Sequence, residues 1–323
     1  MLRPGSESVS RSVIKLVDIP GIRSAVFRSR QFRERTGFAL RMFANRARLR
    51  TNGSHSPQVA AVVVGRNDDY MPDFAARLRA TIAWNTSFLV GEVVFVEWNP
   101  PADRELLSPQ LAEQFPSLRA YVVPPETHAA ICENSRVQLL EYHAKNVGVR
   151  RALAPWVMAT NADAALGLDA IRTVLSGNLC EDQIWTAERV DIPWRDGHQR
   201  RISLRGALRY TRIIPYHPLG TGDFILASRK VWERARGYDE SLVKHRIGCD
   251  VRGTAQMIVQ GARSSRVGFV LHLEHPTSCV EGIQPHHGEH ASPEGVPYLN
   301  PESWGLADHR EIQIAERVWR LEP

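Results

Sequence analysis

The sequence has few cysteines and no apolar run long enough to span a bilayer. Its 323 residues include four cysteines, which are widely spaced and form no CxxC pair. This spacing argues against a zinc ribbon and a disulfide scaffold, so we expect buried thiols. No apolar run approaches the roughly 20 residues that cross a membrane as a helix. Lys15 and Asp18 interrupt the apolar residues near the start, where a signal peptide would be continuous. We expect a cytoplasmic protein.

Two common phosphate-binding loops are also absent. The chain contains neither GxGxxG nor GxxxxGK[ST], which excludes the usual dinucleotide-binding and P-loop assignments. A phosphate-bearing ligand would have to be held by a metal ion and by basic side chains. The length suits one large α/β domain with appendages, or two small domains.

The positive charge is concentrated at the N-terminus. Residues 1–50 contain 12 Arg or Lys against 3 Asp or Glu, a charge of +9, whereas the remainder carries −3. We interpret residues 1–57 as a basic arm and a polar linker. Nucleic acid is not an expected partner, because no interleaved aromatic platform accompanies the charge.

Within the arm, apolar residues recur at helical spacing. Phe38, Met42 and Phe43 share one helix face, and Arg41 and Arg48 share another. Such a helix could pack on its own domain. It could also rest on an anionic membrane, which predicts that residues 21–50 bind the inner membrane face peripherally.

From residue 58 onward, apolar strands alternate with amphipathic helices. The strand candidates are "QVAAVVVGRN", "EVVFVEWNPP", "LRAYVVPP" and "WVMATN". A helix with Phe74, Leu78 and Ile82 on one face follows the first strand, and Val137 to Ala152 forms another. This order predicts an α/β fold with a mostly parallel sheet covered by helices on both faces.

Polar residues stand where three of these strands end. They are Arg66 to Asp69, then Glu97 to Asn99, then the triplet Asn161-Ala162-Asp163. The carboxyl ends of parallel strands meet at one edge of a sheet, where ligands bind. We expect the three groups to converge there.

Four segments together resemble family-2-like glycosyltransferases of the GT-A fold. In "AKNVGVRRALAPWVMATNADAAL", an Asn-x-Gly-x-x-x-Ala helix enters a strand that this family ends with Asp-x-Asp. "GDFILASRKVWERARGYDESL", "IGCDVRGTAQMIVQGAR" and "VGFVLHLEHP" are similar to the acceptor-side segments that follow. This chain departs from the family pattern at Asn161, Glu97 and Cys249, where Asp, Asp and Glu are usual.

The resemblance implies a division of the domain and an activity. It implies a Rossmann-like nucleotide-sugar half at 58–165, a mixed acceptor half at 166–280 and a C-terminal loop or tail at 281–323. The implied reaction is inverting transfer of a sugar from a nucleotide-diphosphate donor to an acceptor hydroxyl. The acceptor would be a glycan, a lipid-linked molecule or a small molecule.

A divalent ion, Mn²⁺ or Mg²⁺, is the implied cofactor, because it stabilises the charge on a leaving diphosphate. Asp163 is the expected metal ligand at the end of its strand, although Asn161 and Asp163 also suit an ordinary turn. By the resemblance, His272 and His275 complete the metal shell. The alternative for each histidine is a strand cap.

Five residues are candidates for contact with the nucleotide sugar: Asp68, Glu97, Asn161, Lys145 and Arg150. The resemblance implies a loop contact with the nucleotide for Asp68 and a base or ribose contact for Glu97. Asn161 would bind a ribose hydroxyl, and the two cations would offset phosphate charge. Solvated loop, strand-end or helix-face positions are the alternatives.

Asp250 is the candidate general base, which would accept the proton of the acceptor hydroxyl. A purely structural alternative is a helix N-cap before "VRGTAQMIVQ". Asp223 is a second candidate acid. Trp304 is expected either to wall the pocket or to be buried.

Two other functions remain open. A nucleotidyltransferase uses a related sheet but usually has a Gly-rich basic loop after the first strand, whereas "VVVGRNDDYMPDF" is acidic. A catalytically inactive sugar-nucleotide-binding or scaffold protein would explain the altered triplet and Cys249.

Overall fold

The structure is a computed structural model that describes residues 58–68, 71, 73–89, 91–194, 202, 212–214, 222–275, 289–290 and 298–323. The described residues belong to one unit, Leu49–Pro323. The predicted basic arm, with the lipid-facing helix at 21–50, lies outside the described residues. None of the described helices is long and apolar enough to cross a membrane.

The described strands, in chain order, are β1 (Val59–Gly65), β2 (Gly91–Trp98), β3 (Leu118–Val123), β4 (Trp156–Asn161), β5 (Ala164–Leu166), β6 (Gln183–Ile192), β7 (Arg212–Ile214), β8 (Phe224–Ser228), β9 (His245–Ile247), β10 (Arg263–Leu273), β11 (Glu289–His290), β12 (Arg310–Ala315) and β13 (Val318–Glu322). The described helices are α1 (Phe74–Thr86), α2 (Leu107–Gln114), α3 (Pro125–Ile131), α4 (Glu141–Arg151), α5 (Leu168–Leu175), α6 (Arg229–Ala235) and α7 (Cys249–Val259).

One large sheet runs through the described residues in the order β12-β13-β3-β2-β1-β4-β8-β6-β10-β5, and β7 pairs with β6 at its side. The strands from β13 to β4 are parallel, as are β6 and β10. β8 is antiparallel to both of its neighbours, and β5 is antiparallel to β10. β9 and β11 form a separate two-stranded sheet. The predicted α/β class, with a parallel first half and a mixed second half, is confirmed.

The core lies between the parallel strands and the helices that cover them. Every residue of β1 is buried, as its continuous apolar run predicts for a central parallel strand. α4 packs closely on β1 at Gly148, where an added Cβ would lie 2.5 Å from Cγ1 of Val62. The glycine of the Asn-x-Gly segment therefore sets how near the helix comes to the sheet.

The C-terminal segment differs from the predicted loop or tail. β13 pairs in parallel with β3, and β12 forms the antiparallel edge beyond it. Within β13, Val318 and Leu321 are buried, while most of β12 is exposed. An edge hairpin that buries so few apolar residues leaves a weak alternating pattern in the sequence, which is why the strands were missed.

The cysteines that the structure describes are free thiols. Cys249 is buried, as predicted, whereas Cys132 and Cys180 are partly exposed. Cys279 lies outside the described residues.

Candidate functional site

The triplet Asn161-Ala162-Asp163 forms the turn between β4 and β5. α1 holds this turn, because the Thr81 hydroxyl donates a 2.6 Å hydrogen bond to the Ala162 carbonyl. The register of β1 with β2 and β4 aligns Gly65 with Glu97 and places Asn161 beside Val64. The predicted convergence of strand ends is confirmed for β1, β2 and β4.

Asp163, the last residue of this turn, contacts two histidines. Its Oδ2 atom lies 3.0 Å from Nε2 of His272 and 2.9 Å from Nε2 of His275. Asp163 and His272 are buried, and His275 is partly exposed. The three residues form a group that could hold a metal ion, with ligand atoms within 4.8 Å of one another. The sequence prediction had selected these same three residues.

Backbone contacts fix the segment that carries the two histidines. The Leu273 amide donates to the Asp163 carbonyl at 2.9 Å. Nη1 of Arg77, a buried residue of α1, donates to the carbonyls of Leu273 and Glu274 at 2.8 and 3.1 Å. His275 follows immediately, so the position of its ring depends on a clamp that the sequence did not reveal.

The charges in this group are strongly coupled. Burial opposes protonation of His272, but the carboxylates of Asp163 and Asp191 outweigh it and raise the pKa of His272 to about 9. Burial likewise opposes ionisation of Asp163, yet the two histidines hold the pKa of its carboxyl well below its usual range. The carboxylate of Asp163 and the imidazolium form of His272 therefore stabilise each other's charge.

The donor set suits a divalent transition metal. Two imidazoles beside one carboxylate favour a divalent transition metal, whereas Mg²⁺ prefers oxygen ligands and retains several waters. A bound cation would take the place of the proton on His272 Nε2 and keep the charge of Asp163 balanced. The residues present therefore fit the implied metal ion.

Asp191 is a member of the site that the sequence analysis missed. It lies on β6, and its Oδ1 atom is 3.0 Å from Nδ1 of His272. Burial opposes ionisation of Asp191, but contacts with His272 and Arg189 lower the pKa of its carboxyl. The segment "ERVDIPW" resembles an ordinary strand, and only the pairing of β6 with β10 reveals the contact.

Lys145 is the centre of a second buried cluster. Its ammonium donates to Oε1 of Glu141 at 2.6 Å, to Oδ1 of Asn161 at 2.7 Å and to the Gly222 carbonyl at 2.8 Å. Nδ2 of Asn161 in turn donates to Oδ1 of Asp223 at 2.9 Å. The side chain of Lys145 is fully buried.

This cluster bears on two sequence predictions, the ligand contacts of Lys145 and Asn161, which stay predictions. An ammonium has three hydrogens to donate, and Lys145 uses all three on protein oxygens, so none is left for a donor phosphate. Asn161 uses one N–H and its carbonyl oxygen within the cluster, and its predicted ribose contact stays a prediction. Both residues instead connect α4 to the turn after β4 and to the start of β8.

Asp250 lies in the first turn of α7, next to this cluster. Gly248, at φ 82°, is the N-cap, so the predicted N-cap role of Asp250 is wrong. Burial raises the pKa of the Asp250 carboxyl, and the charges of Glu141 and Asp223 add to this, while Lys145 opposes it. A carboxylate with a raised pKa is a stronger base.

Gly222 is required where the Lys145 cluster meets Asp250. A Cβ atom at position 222 would lie 2.3 Å from the hydroxyl of Tyr142 and 3.5 Å from Cβ of Asp250. The small residue allows the backbone carbonyl that Lys145 binds to approach α4.

Glu97 is also placed differently from its predicted role. It is fully buried, and its two oxygens accept hydrogen bonds from the amides of Leu107 and Ser108 and from the Ser108 hydroxyl, at 2.7–3.0 Å. It therefore binds the free amides at the start of α2. A fully buried carboxylate is out of reach of a base or ribose in this structure, and the predicted contact stays a prediction.

Arg150 and Asp68 have partners outside the metal-binding group. The Arg150 guanidinium stacks over Trp304 at 5.0 Å, beside a pocket of about 340 Å³ that Arg229 and Arg236 also line. Trp304 is buried, as its alternative assignment expected. Asp68 pairs with Arg66 at 2.8 Å and lines a pocket of about 560 Å³. Its predicted contact with the nucleotide stays a prediction.

No family model and no curated protein sequence matches the chain. Among solved structures, it is similar to the mannosyltransferase PcManGT of Pyrobaculum calidifontis, in complex with GDP-Man and Mn²⁺, with 17% identity and a TM-score of 0.43. That alignment covers 74% of this chain and 65% of the other. The similarity to S. aureus TarS 1–349 has 11% identity and a TM-score of 0.42, over 67% of this chain and 60% of TarS.

A third similar structure is the catalytic domain of Drosophila beta1,4galactosyltransferase 7 in complex with xylobiose. It is 11% identical with a TM-score of 0.39, over 82% of this chain and 93% of the other. This chain spans less than two thirds of the first two proteins. With TM-scores of 0.43 or less, these likenesses do not establish a family.

Proposed function

We propose that the chain is a metal-dependent glycosyltransferase that moves a sugar from a nucleotide-diphosphate donor to an acceptor hydroxyl. The observation that carries the proposal is the group of Asp163, His272 and His275 at the turn that ends β4. A carboxylate with a raised pKa, Asp250, lies beside the cluster that holds the same turn. A metal-binding group and a base are the two parts that such a transfer requires.

Asp163, His272 and His275 would hold the divalent ion. When bound, the ion neutralises the negative charge that develops on the leaving diphosphate. The donor set favours Mn²⁺ over Mg²⁺. The chain's own contribution is to hold the ligands in place, through the Arg77 clamp on the backbone before His275 and the Thr81 bond to the turn.

Asp250 is the proposed general base. Burial makes its carboxylate more basic, so it can take the proton of an acceptor hydroxyl as that oxygen attacks the sugar. Attack by a separate acceptor on the face opposite the leaving group gives inversion. Asp223 is less suited, because Oδ1 accepts from Asn161 and Oδ2 lies 3.6 Å from Arg189.

The partners follow from the same chemistry. A nucleotide sugar is the proposed donor, and a glycan, lipid-linked or small-molecule hydroxyl is the acceptor. The basic charge of residues 1–50 supports contact with an anionic membrane surface through residues 21–50. The inactive-scaffold alternative predicts nucleotide-sugar binding without turnover.

The test is nucleotide release from a panel of nucleotide sugars, measured with Mn²⁺, with Mg²⁺, and with EDTA. We expect release for at least one donor with Mn²⁺, less with Mg²⁺, and none with EDTA. Asp250→Asn should lower turnover by a factor of about 10² to 10⁴ while the donor affinity stays near normal. Binding of a nucleotide sugar without release, for every donor and metal, would favour the scaffold. Release of pyrophosphate from a sugar phosphate and a nucleoside triphosphate would indicate a nucleotidyltransferase.

A further inference from the structure

Asp191 and His272 lie side by side on neighbouring strands. β6 and β10 run parallel, and their register pairs Asp191 with His272. Oδ1 of Asp191 is 3.0 Å from Nδ1 of His272, while Nε2 of the same ring faces Asp163. Asp191 is 5% exposed and His272 is 3% exposed. The imidazole is therefore held between two carboxylates and away from water.

The two ring nitrogens have different partners, which makes them chemically distinct. An ionised carboxylate can only accept a hydrogen bond, so at 3.0 Å from Asp191 a hydrogen on Nδ1 is favoured over a lone pair. A neutral imidazole with its hydrogen on Nδ1 has its lone pair on Nε2. This is the nitrogen that points toward Asp163.

We infer that Asp191 is a positioning residue, which fixes the tautomer and orientation of His272 so that Nε2 is the metal ligand. The inference rests on the metal site proposed above. Carboxylates that bind the second nitrogen of a metal-ligating histidine orient the ring and raise its basicity as a ligand. Asp191 stands in that relation to His272.

Asp191 is itself held by Arg189. Nε of Arg189 donates to Oδ1 of Asp191 at 2.8 Å, and Nη1 lies 3.6 Å from Oδ2 of Asp223. Residues two apart on a strand share a face, so β6 directs both side chains toward the same cluster. Arg189 thereby fixes the Asp191 carboxylate and connects the proposed metal site with the acid beside Asn161.

The first test measures the Mn²⁺ dissociation constant of the full chain, from the electron paramagnetic resonance signal of free Mn²⁺. Asp191→Ala should bind Mn²⁺ about 10- to 100-fold more weakly than the wild type. Asp191→Asn keeps an oxygen that can face Nδ1 and should lose less. Glu188→Gln is the matched control, because Glu188 lies on the same strand but pairs with Arg266. It should bind like the wild type.

A second measurement separates positioning from general destabilisation. Histidine ¹⁵N resonances of the Zn²⁺-loaded protein, which is diamagnetic, should show His272 with hydrogen on Nδ1 and metal on Nε2. The Asp191→Ala variant should lose this pattern, whereas the Asp191→Asn variant should keep it. A His272 pattern that is the same in wild type and Asp191→Ala, with equal Mn²⁺ affinity, would overturn the inference.

Different results would show that the positioning role is wrong and that the metal site is wrong. If Asp163→Ala weakens Mn²⁺ binding and Asp191→Ala does not, the positioning role is wrong and the metal site stands. If the wild type binds no Mn²⁺, both are wrong. If Asp191→Ala does not fold, Asp191→Asn decides, because loss of the carboxylate charge beside Nδ1 should weaken Mn²⁺ binding roughly threefold. Unchanged affinity in that variant would contradict the inference.

Discussion

Asn161 is the last residue of β4 and Asp223 directly precedes β8, and Nδ2 of Asn161 donates to Oδ1 of Asp223 at 2.9 Å. Lys145 binds the other end of the same amide. A neutral amide can join a cation to an anion because it donates at one end and accepts at the other. An aspartate at position 161 would lack the donor and would place two carboxylates together. The departure from the Asp-x-Asp pattern is therefore matched to its surroundings.

The first prediction concerns the stability that Lys145 contributes. Lys145→Met removes the buried ammonium and leaves Oδ1 of Asn161 and the Gly222 carbonyl without their donor. We expect the free energy of unfolding to fall by about 3 kcal/mol, the scale for breaking a buried ion pair. Denaturant unfolding measures this. Lys230→Met, which removes an exposed pair with Glu181, is the control and should change stability little. Equal losses in the two variants would contradict the role of Lys145.

The second prediction separates a structural from a ligand-binding role for Glu97. Glu97→Gln replaces one acceptor oxygen with an amide group that faces the donors at the start of α2. We expect the free energy of unfolding to fall by about 1–2 kcal/mol, with no change in nucleotide affinity. Glu113→Gln, at an exposed position of the same helix, should change neither quantity. Weaker nucleotide binding with unchanged stability would contradict this prediction and would support the contact of Glu97 with a base or ribose.

The third prediction is a pH dependence that arises from His143. This residue is buried on α4, and its Nε2 lies 3.0 Å from the Glu240 carbonyl. Burial is the main cause that lowers the pKa of His143 from 6.5 to about 4. The neutral ring is favoured in the folded state. The contribution of His143 to the free energy of unfolding is therefore complete above pH 6.5 and is lost as the pH falls toward 4.

At pH 5 the loss from this residue should be about 2 kcal/mol relative to neutral pH. The free energy of unfolding is measured with denaturant at pH 7 and at pH 5. Between these pH values it should fall more for the wild type than for His143→Gln, by about this amount. Other titrating groups are common to both proteins and cancel in the difference. The same pH dependence in both would show that His143 is protonated without cost in the fold.

The fourth prediction concerns the basic arm. Co-sedimentation with anionic vesicles should fall when residues 1–50 are deleted and when the salt concentration is raised, because salt screens surface charges. Neutral vesicles should not sediment either protein. If the full chain and the truncated chain sediment equally with anionic vesicles, the arm has another role.

The sequence predicted the features that depend on residues close together in the chain. The buried run of β1 and the order of strands and helices followed from short segments, and the group of Asp163, His272 and His275 followed from the resemblance to a family. The partners of buried polar side chains did not follow. Asp191 meets His272 only because β6 and β10 pair in one register, and that register depends on residues far apart in the chain.

The engaged side chains were missed for a related reason. Lys145 and Glu97 occupy positions typical of ligand contacts at strand ends and helix starts. Their charges are used instead to join α4 to the Asn161 turn and to bind the start of α2. A sequence shows that a charged residue is present, but a buried charge acquires its partner only from the packing of several elements.

The central claim is that Asp163 belongs to a metal site on which donor binding depends. The most direct measurement is the affinity for a nucleoside diphosphate, in Mn²⁺ and in EDTA, for the wild type, for Asp163→Ala and for the control Asp182→Asn. Asp182 is an exposed residue that pairs with Arg234. We predict that Mn²⁺ strengthens binding by the wild type and by Asp182→Asn, and that Asp163→Ala loses this gain while its affinity in EDTA is unchanged. Equal Mn²⁺-dependent binding by the wild type and Asp163→Ala would contradict the account.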